Sequence, residues 1–168
     1  MKLTLLLVTV FLSIPSSVFA GEPWKGRTEV RPVELGIMSG MAIYGNEANW
    51  GILPSVAYLI KDHGFADDLD NRVWVELQAG PTFFSSANST QTGFQHSIHL
   101  RWDFNYNEKW TFYGLGGFGG YGLPKYRGSS FTIHPRFGAG AEYQTKAPFL
   151  FRAEVSAEFI GLGVAFNF

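Results

Sequence analysis

The sequence predicts an all-β fold, an up-and-down antiparallel barrel of eight strands, and three observations support that prediction. Apolar and polar side chains alternate in steps of two along eight segments, whereas helical periodicity is weak. The segments follow one another at even spacing, and the connections between them are rich in Gly, Asn, Asp and Pro. The chain of 168 residues is low in charge (16%) and rich in aromatic residues (17%), with 20 glycines. Its formal net charge of -1 gives no basic surface for a nucleic-acid partner.

Residues 1–20 have the pattern of a cleaved export signal. Lys2 is followed by an apolar run, Leu3–Ile14, and small residues lead up to Ala20. These are the features of a secretory signal peptide. The run is shorter than the ~18 apolar residues expected of a membrane-spanning helix. The chain contains no cysteine, which excludes disulfides and a thiolate site.

The first three predicted strands are Val33–Tyr44, Trp50–Ile60 and Val73–Phe84. In each strand, aliphatic or aromatic residues occupy every second position, and Gly, Ala, Ser, Thr, Gln or Glu stand between them. Successive side chains of a strand point to opposite faces, so each segment has one apolar face and one small or polar face. Glu76 is a charged residue on the polar face of the third segment.

The fourth segment, Gln95–Asn107, shows the alternation most clearly. One face carries a row of large apolar residues: Ile98, Leu100, Trp102, Phe104 and Tyr106. The other carries polar and charged residues: Ser97, His99, Arg101, Asp103 and Asn105. The fifth segment, Trp110–Leu123, is so rich in glycine that periodicity defines its faces poorly. We expect its glycines to allow close packing beneath Phe112 and Phe118 in the barrel interior.

The last three segments are Phe131–Gln144, Phe149–Ala157 and Ile160–Phe168. Their polar faces contribute His134, Arg136, Glu142, Arg152 and Glu154. The last segment alternates large apolar residues with Gly, Ala and Asn. The connections expected at the far end of the barrel from the C-terminus are Gly45–Asn49, Ser85–Thr92 and Pro124–Ser130.

The placement of lysine indicates which face is inside. A soluble barrel would turn its apolar faces inward around a ligand, whereas a membrane barrel turns them toward lipid. Beyond the signal, the lysines fall in turns, tails or strand ends: Lys25, Lys61, Lys109, Lys125 and Lys146. The charges within strands are Arg, Glu, Asp and His, a set suited to a narrow lumen in which guanidinium groups pair with carboxylates. The sequence therefore predicts a transmembrane barrel.

The predicted lumen contains a network of polar side chains: Glu76, His99, Arg101, Asp103, His134, Arg136, Glu142, Arg152 and Glu154. We expect the three arginines to be matched by the acidic residues, because an unpaired buried charge is costly. The network has two interpretations, a structural plug and a narrow polar channel, of which the plug is favoured. A metal site is not predicted, because His99 and His134 have no assignable third ligand.

Aromatic residues cluster toward both ends of the apolar faces, as expected of membrane-interface girdles. At the end that holds the C-terminus these residues are Phe104, Tyr106, Tyr143, Phe149, Phe166 and Phe168. Toward the other end they are Phe83, Phe94, Tyr121 and Phe131.

The closing stretch, Phe159–Phe168, is an alternating strand that ends in Phe and resembles the C-terminal signature of bacterial outer-membrane β-barrels. The layout of the chain resembles the small eight-stranded type represented by the OmpA membrane domain and OmpX. The resemblance implies a Gram-negative outer-membrane location, contact with outer-membrane lipid and lipopolysaccharide, and insertion by the barrel-assembly machinery after periplasmic chaperoning. It implies a monomer without a cofactor, with a short periplasmic segment at residues 21–31 and the barrel at residues 32–168. The Asp62–Asn71 connection departs from the family, because it is long for a periplasmic turn.

No catalytic residue is predicted. His96 and Ser97 are adjacent and therefore point to opposite faces, so they cannot share a proton. His99 shares a face with Ser97, but that face is the lumen, and the penultimate strand contains no His. The predicted function is a non-enzymatic structural or surface-interaction barrel with a plugged lumen. The alternatives are a narrow channel for ions or small solutes, a lipid A-modifying enzyme and a soluble periplasmic ligand-binding barrel.

Overall fold

The computed structural model describes residues 31–44, 47–66, 69–86, 89–122 and 131–168. It contains a closed antiparallel barrel whose eight strands follow chain order. The strands are β1 Val33–Tyr44, β2 Glu47–Lys61, β3 Asn71–Ser86, β4 Ser89–Asn105, β5 Trp110–Gly122, β6 His134–Gln144, β7 Phe149–Ser156 and β8 Phe159–Asn167. β8 closes the barrel against β1 along a continuous register from Glu34–Asn167 to Ala42–Phe159. The predicted fold class and up-and-down connectivity are confirmed.

No helix in the described parts of the chain is long and apolar enough to cross a membrane. The predicted signal at residues 1–20 and most of the predicted periplasmic segment lie outside the described residues.

Two connections at the far end are shorter than predicted. β2 begins at Glu47, and the β3–β4 pairing continues to Ser86 opposite Ser89. The Ser, Thr and Gln residues there predicted a loop, but strand pairing continues through them, because hydrogen bonds between backbones do not require apolar side chains. The sixth strand differs in the opposite sense. It begins at His134, and Phe131 forms only an isolated bridge with Gly122.

The outer wall of the barrel is apolar and the interior carries the charges. Leu162 is 70% exposed, whereas Arg101 is 0% exposed. Other large apolar residues exposed on the outer wall include Leu35, Ile37, Leu77, Ile98, Leu100, Phe137 and Phe151. This arrangement is the reverse of a water-soluble protein and is the one required by a barrel surrounded by hydrocarbon. Closure also gives the strands no free edge, so their backbone polar groups can pair within the barrel.

The interior face of β5 differs from the prediction. Phe112 and Phe118 are exposed on the outer wall, and the inward-facing aromatic residues are Tyr113 and Tyr121. β5 has glycine at both odd and even positions, so the alternation of residue types does not distinguish its faces. Gly140, on β6, makes room for one of these rings, because an added Cβ would overlap the Tyr113 hydroxyl.

Candidate functional site

The centre of the lumen is organised around the guanidinium of Arg101. Arg101 lies on β4, whose alternation turns it inward. It donates two hydrogen bonds to Asp103, at 2.9 and 3.1 Å, and two to Glu34, at 2.6 and 3.2 Å. Carboxylate oxygens of Glu142 and Glu76 lie 3.0 and 3.4 Å from its Nη1 atom. Four acidic side chains from β1, β3, β4 and β6 therefore meet one cation.

Arg152, on β7, forms the second centre. Its two terminal nitrogens donate to the carboxylate of Glu76 at 2.7 and 2.9 Å, a two-pronged geometry that is among the stronger ion pairs. Its Nη2 atom also donates to Glu154 at 3.0 Å, and its Nε atom donates to the hydroxyl of Tyr113 at 2.8 Å. These contacts join β3, β5 and β7 across the lumen.

Arg136, on β6, forms the third centre, displaced toward the far end of the barrel. It donates hydrogen bonds to Glu154, to the Ser97 hydroxyl and, at 2.8 Å, to the side-chain oxygen of Gln78. Its Nη1 atom lies 3.2 Å from Glu158, in the β7–β8 turn. Because Glu154 contacts both Arg136 and Arg152, the second and third centres are continuous.

The two predicted lumen histidines lie at different places. His99 is buried, with Nε2 3.5 Å from Glu76. His134 stands at the mouth, where its side chain is partly exposed and lies 3.1 Å from Glu158. No cluster of three or more His, Asp or Glu side chains that could hold a metal ion occurs within the described ranges.

Ser97, His99 and Glu76 follow one another in the order of a hydrolytic triad. The Ser97 hydroxyl lies 3.4 Å from His99 Nδ1, and His99 Nε2 lies 3.5 Å from Glu76. The same hydroxyl accepts a hydrogen bond from Arg136, and all three side chains are buried in the lumen. A nucleophile must reach its substrate. This group of side chains therefore acts as part of the network, and its geometry gives no route for an acyl chain to the serine.

A group of buried apolar side chains, which we call the apolar cluster, lies at the far end of the lumen. Its members are Met38, Ala42, Leu53, Phe84, Tyr121 and Phe159. The Tyr121 hydroxyl donates to the carbonyl oxygens of Ile43 and Glu158, at 3.0 and 2.9 Å, and so joins β5 to β1 and to the β7–β8 turn. The prediction that Tyr121 belongs to the outer aromatic girdle is wrong, because its ring is inside the barrel.

Glu158 lies in the β7–β8 turn, yet its carboxyl group is almost fully buried. Burial raises the pKa of this carboxyl group above its ordinary value, and the positive charge of Arg136 opposes the shift. The turn therefore holds a titratable group at the mouth of the lumen, between the charged network and the apolar cluster.

The aromatic residues predicted at the C-terminal end lie on the outer wall. Tyr106, Phe166 and Phe168 are exposed, and Phe104, Tyr143 and Phe149 are half-buried. Several form ring contacts along the wall: Phe104 with Trp102 at 4.8 Å, Tyr106 with Phe112 at 6.2 Å, Tyr143 with Trp110 at 4.9 Å and Phe149 with Phe166 at 6.2 Å between ring centroids.

Sequence reasoning missed some members of the network. Glu34 and Glu158 are both buried and ion-paired, but neither was assigned to the lumen. The signal for Glu34 was present, because it alternates with Val33 and Leu35 in the first predicted strand. Glu158 gave no such signal, since it stands in a turn, where a glutamate is ordinarily solvated.

No protein-family model matches the sequence, and no curated protein matches it. Solved structures do match. The outer membrane protein Ail of Yersinia pestis, determined as a backbone structure in a phospholipid bilayer nanodisc, is 17% identical, with a TM-score of 0.52. That match covers 83% of this chain and 100% of the Ail chain.

Two crystal structures of Ail, the attachment invasion locus protein of Yersinia pestis, also match at 16% identity, one of them in complex with the heparin analogue sucrose octasulfate. Their TM-scores are 0.48 and 0.47, and each match covers 82% of this chain and 97% of Ail. At this level of identity a likeness shows the fold. The chain therefore has the fold of an eight-stranded outer-membrane β-barrel.

Proposed function

We propose that the protein is an integral outer-membrane barrel with a plugged lumen that conducts no ions and catalyses no reaction, and that acts through the surface it presents outside the cell. The observation that supports this most strongly is the filling of the lumen by the protein's own side chains. Three arginines and six carboxyl groups are buried in it, the carboxyl groups being those of Glu34, Glu76, Asp103, Glu142, Glu154 and Glu158.

Buried apolar side chains adjoin the network, which favours a plug over a channel. On the far side lies the apolar cluster. The buried ring of Trp74, which stands opposite Arg101 in the β3–β4 register, lies 5.2 Å from the Arg101 guanidinium, and Leu150 is buried on β7. An ion on this path would have to break buried ion pairs and then pass apolar side chains, and both steps are costly. An eight-stranded barrel is just wide enough for its side chains to fill.

The remaining alternatives are less well supported. A lipid A-modifying enzyme needs its catalytic groups where an acyl chain can reach them, and the Ser97–His99–Glu76 group is inside. A soluble ligand-binding barrel needs apolar side chains around an internal ligand, whereas this interior is charged and the apolar side chains are outside. A cell-envelope location is supported by the apolar outer wall, and the same fold occurs in an outer-membrane protein of Yersinia pestis.

Surface interaction is proposed because the described part of the lumen is filled by side chains, which leaves the outer surface of the barrel as the region that can contact other molecules. The connection between β5 and β6, residues 123–133, is the longest between strands of the barrel. Residues 123–130 lie outside the described residues, but β5 ends and β6 begins at the end of the barrel opposite the C-terminus, which is the outer end in this orientation. The neighbour is named as an attachment invasion locus protein.

Planar-bilayer recording tests the plug. The chain without its predicted signal is refolded in detergent, and folding is first checked by its heat-modifiable migration on a gel. We expect no reproducible conductance steps. Regular conductance steps from the folded wild-type protein would contradict the proposal.

Cell-surface binding tests the second half of the proposal. A non-adherent bacterial strain that displays the wild-type protein should bind to host cells or matrix more than the strain alone. A matched variant with residues 123–130 replaced by a short Asn-Gly turn should keep its gel mobility and lose that binding. Equal binding by the variant and the wild type would exclude this connection as the contact surface.

A further inference from the structure

Glu142 is a buried acidic residue of the network that has a carboxylate oxygen close to a cation but without a hydrogen bond to it. It lies on β6 and is 4% exposed. Its Oε1 atom is 3.0 Å from Arg101 Nη1, but that oxygen accepts no hydrogen bond from the parts of the chain that the structure describes. Closeness to a cation without a hydrogen bond is an incomplete compensation for a buried carboxylate.

The reason is that the donors of Arg101 are already used. A guanidinium group has five N–H donors. Arg101 makes five hydrogen bonds, two to Asp103, two to Glu34 and one to Glu76. None of the five is directed at Glu142, although its oxygen is near the same nitrogen atom. The remaining arginine of this region, Arg152, donates to Glu76, Glu154 and Tyr113.

The charge balance of the lumen points the same way. Six carboxyl groups face the three guanidinium groups of Arg101, Arg136 and Arg152 among the described lumen residues. A fourth, Arg72, stands opposite Asp103 in the β3–β4 register, but its Nε atom is paired with Asp62. The charged or titratable groups around Glu142 come from every neighbouring element: Glu34 on β1, Arg101 and Asp103 on β4, Tyr113 on β5 and Arg152 on β7. A buried carboxylate that accepts no hydrogen bond from its nearest cation and has Glu34 and Asp103 beside it favours its neutral, protonated form.

We propose that the carboxyl group of Glu142 is a proton-binding site, which holds a proton at neutral pH and so brings the lumen closer to electrical neutrality. As a neutral acid, Glu142 contributes an O–H donor to a network in which carboxylate acceptors are abundant. Loss of this proton in alkaline solution adds a further negative charge to the lumen and weakens the barrel. A sodium ion in place of the proton is the competing occupant.

Infrared spectroscopy of the refolded chain in lipid vesicles tests the proposal, because a protonated carboxyl group has a carbonyl band that an ionised one lacks. We expect this band in the wild-type protein at neutral pH, with loss of the band as the pH is raised. The Glu142→Gln variant should fold and lose the part of the band that is due to Glu142, while any contribution from the buried carboxyl group of Glu158 remains. The matched control, Glu108→Gln, removes an exposed carboxyl group in the β4–β5 turn and should keep the band.

Any one of the following results would overturn the proposal. Absence of the band in the wild-type protein at neutral pH, or a band of undiminished intensity in Glu142→Gln, excludes a proton on Glu142. Failure of Glu142→Gln to fold also excludes it, because a neutral amide of the same shape should replace a neutral acid. Stability that depends on sodium at constant ionic strength, without the band, assigns the site to the cation. None of these measurements reports conductance, so their outcome does not decide whether the lumen is plugged.

Discussion

Replacement of Arg101 by Met should be among the most damaging single changes in the lumen. The substitution keeps much of the side-chain volume but removes five hydrogen bonds and the positive charge shared by Glu34 and Asp103. Removing one partner of a buried ion pair costs about 3–5 kcal/mol, because the other charge remains buried without compensation. Proteins of this size are stable by about 5–15 kcal/mol, so the loss is a large fraction of the total.

The assay is equilibrium unfolding of the refolded chain in lipid vesicles, followed by tryptophan fluorescence. Arg72→Met is the matched control. Arg72 pairs with Asp62 at 2.9 Å, but the Asp62 side chain is 38% exposed, so water can compensate its charge and the expected loss is about 1 kcal/mol or less. Equal losses for the two variants, or a loss below about 1 kcal/mol for Arg101→Met, would refute the view that the network holds the barrel together.

Four further changes test separate parts of the structure. Gly117→Ala should cost about 1–3 kcal/mol of unfolding free energy, because its added Cβ would overlap the Ile98 carbonyl, whereas Gly116→Ala, with open space at that position, should be nearly neutral. Leu162→Arg should cost about 2–4 kcal/mol in a bilayer, and Phe65→Arg, in the β2–β3 turn, should cost much less. Tyr121→Phe should cost about 1 kcal/mol in the same assay, because it removes the hydroxyl donor that Ile43 and Glu158 share. Glu158→Gln should flatten the pH dependence of stability, because a raised pKa gives stability that is present in acid and lost as the pH rises through that pKa.

The sequence was sufficient to predict the fold because period-two alternation is a local property. In β4 each inward residue differs sharply in polarity from its neighbours, and its predicted faces agree with the structure on both sides of the wall. The same information failed for β5, where glycine occupies both faces. There the position of Tyr121 depends on the partners of its hydroxyl group on β1 and in the β7–β8 turn, which are distant in sequence.

For a related reason, the partners of each charged side chain in the lumen could not be predicted from the sequence. Alternation turns Arg101 and Arg152 inward but does not set the stagger of the strands, on which their partners depend. Arg152 forms its two-pronged pair with Glu76, 76 positions away in sequence. The strand ends were also misplaced where polarity changed before pairing ended, as at Ser86 and Ser89.

The central claim is that hydrocarbon surrounds the apolar side of the barrel wall while the charged side faces the lumen. Trp74 and Trp102 test it directly, because they lie at neighbouring positions of the β3–β4 register but on opposite sides of the wall. Two single-tryptophan variants, each retaining one of them, can be refolded in vesicles of brominated phospholipid, which quenches tryptophan fluorescence on contact. We predict strong quenching of Trp102 and little quenching of Trp74. Equal quenching, or stronger quenching of Trp74, would contradict the account.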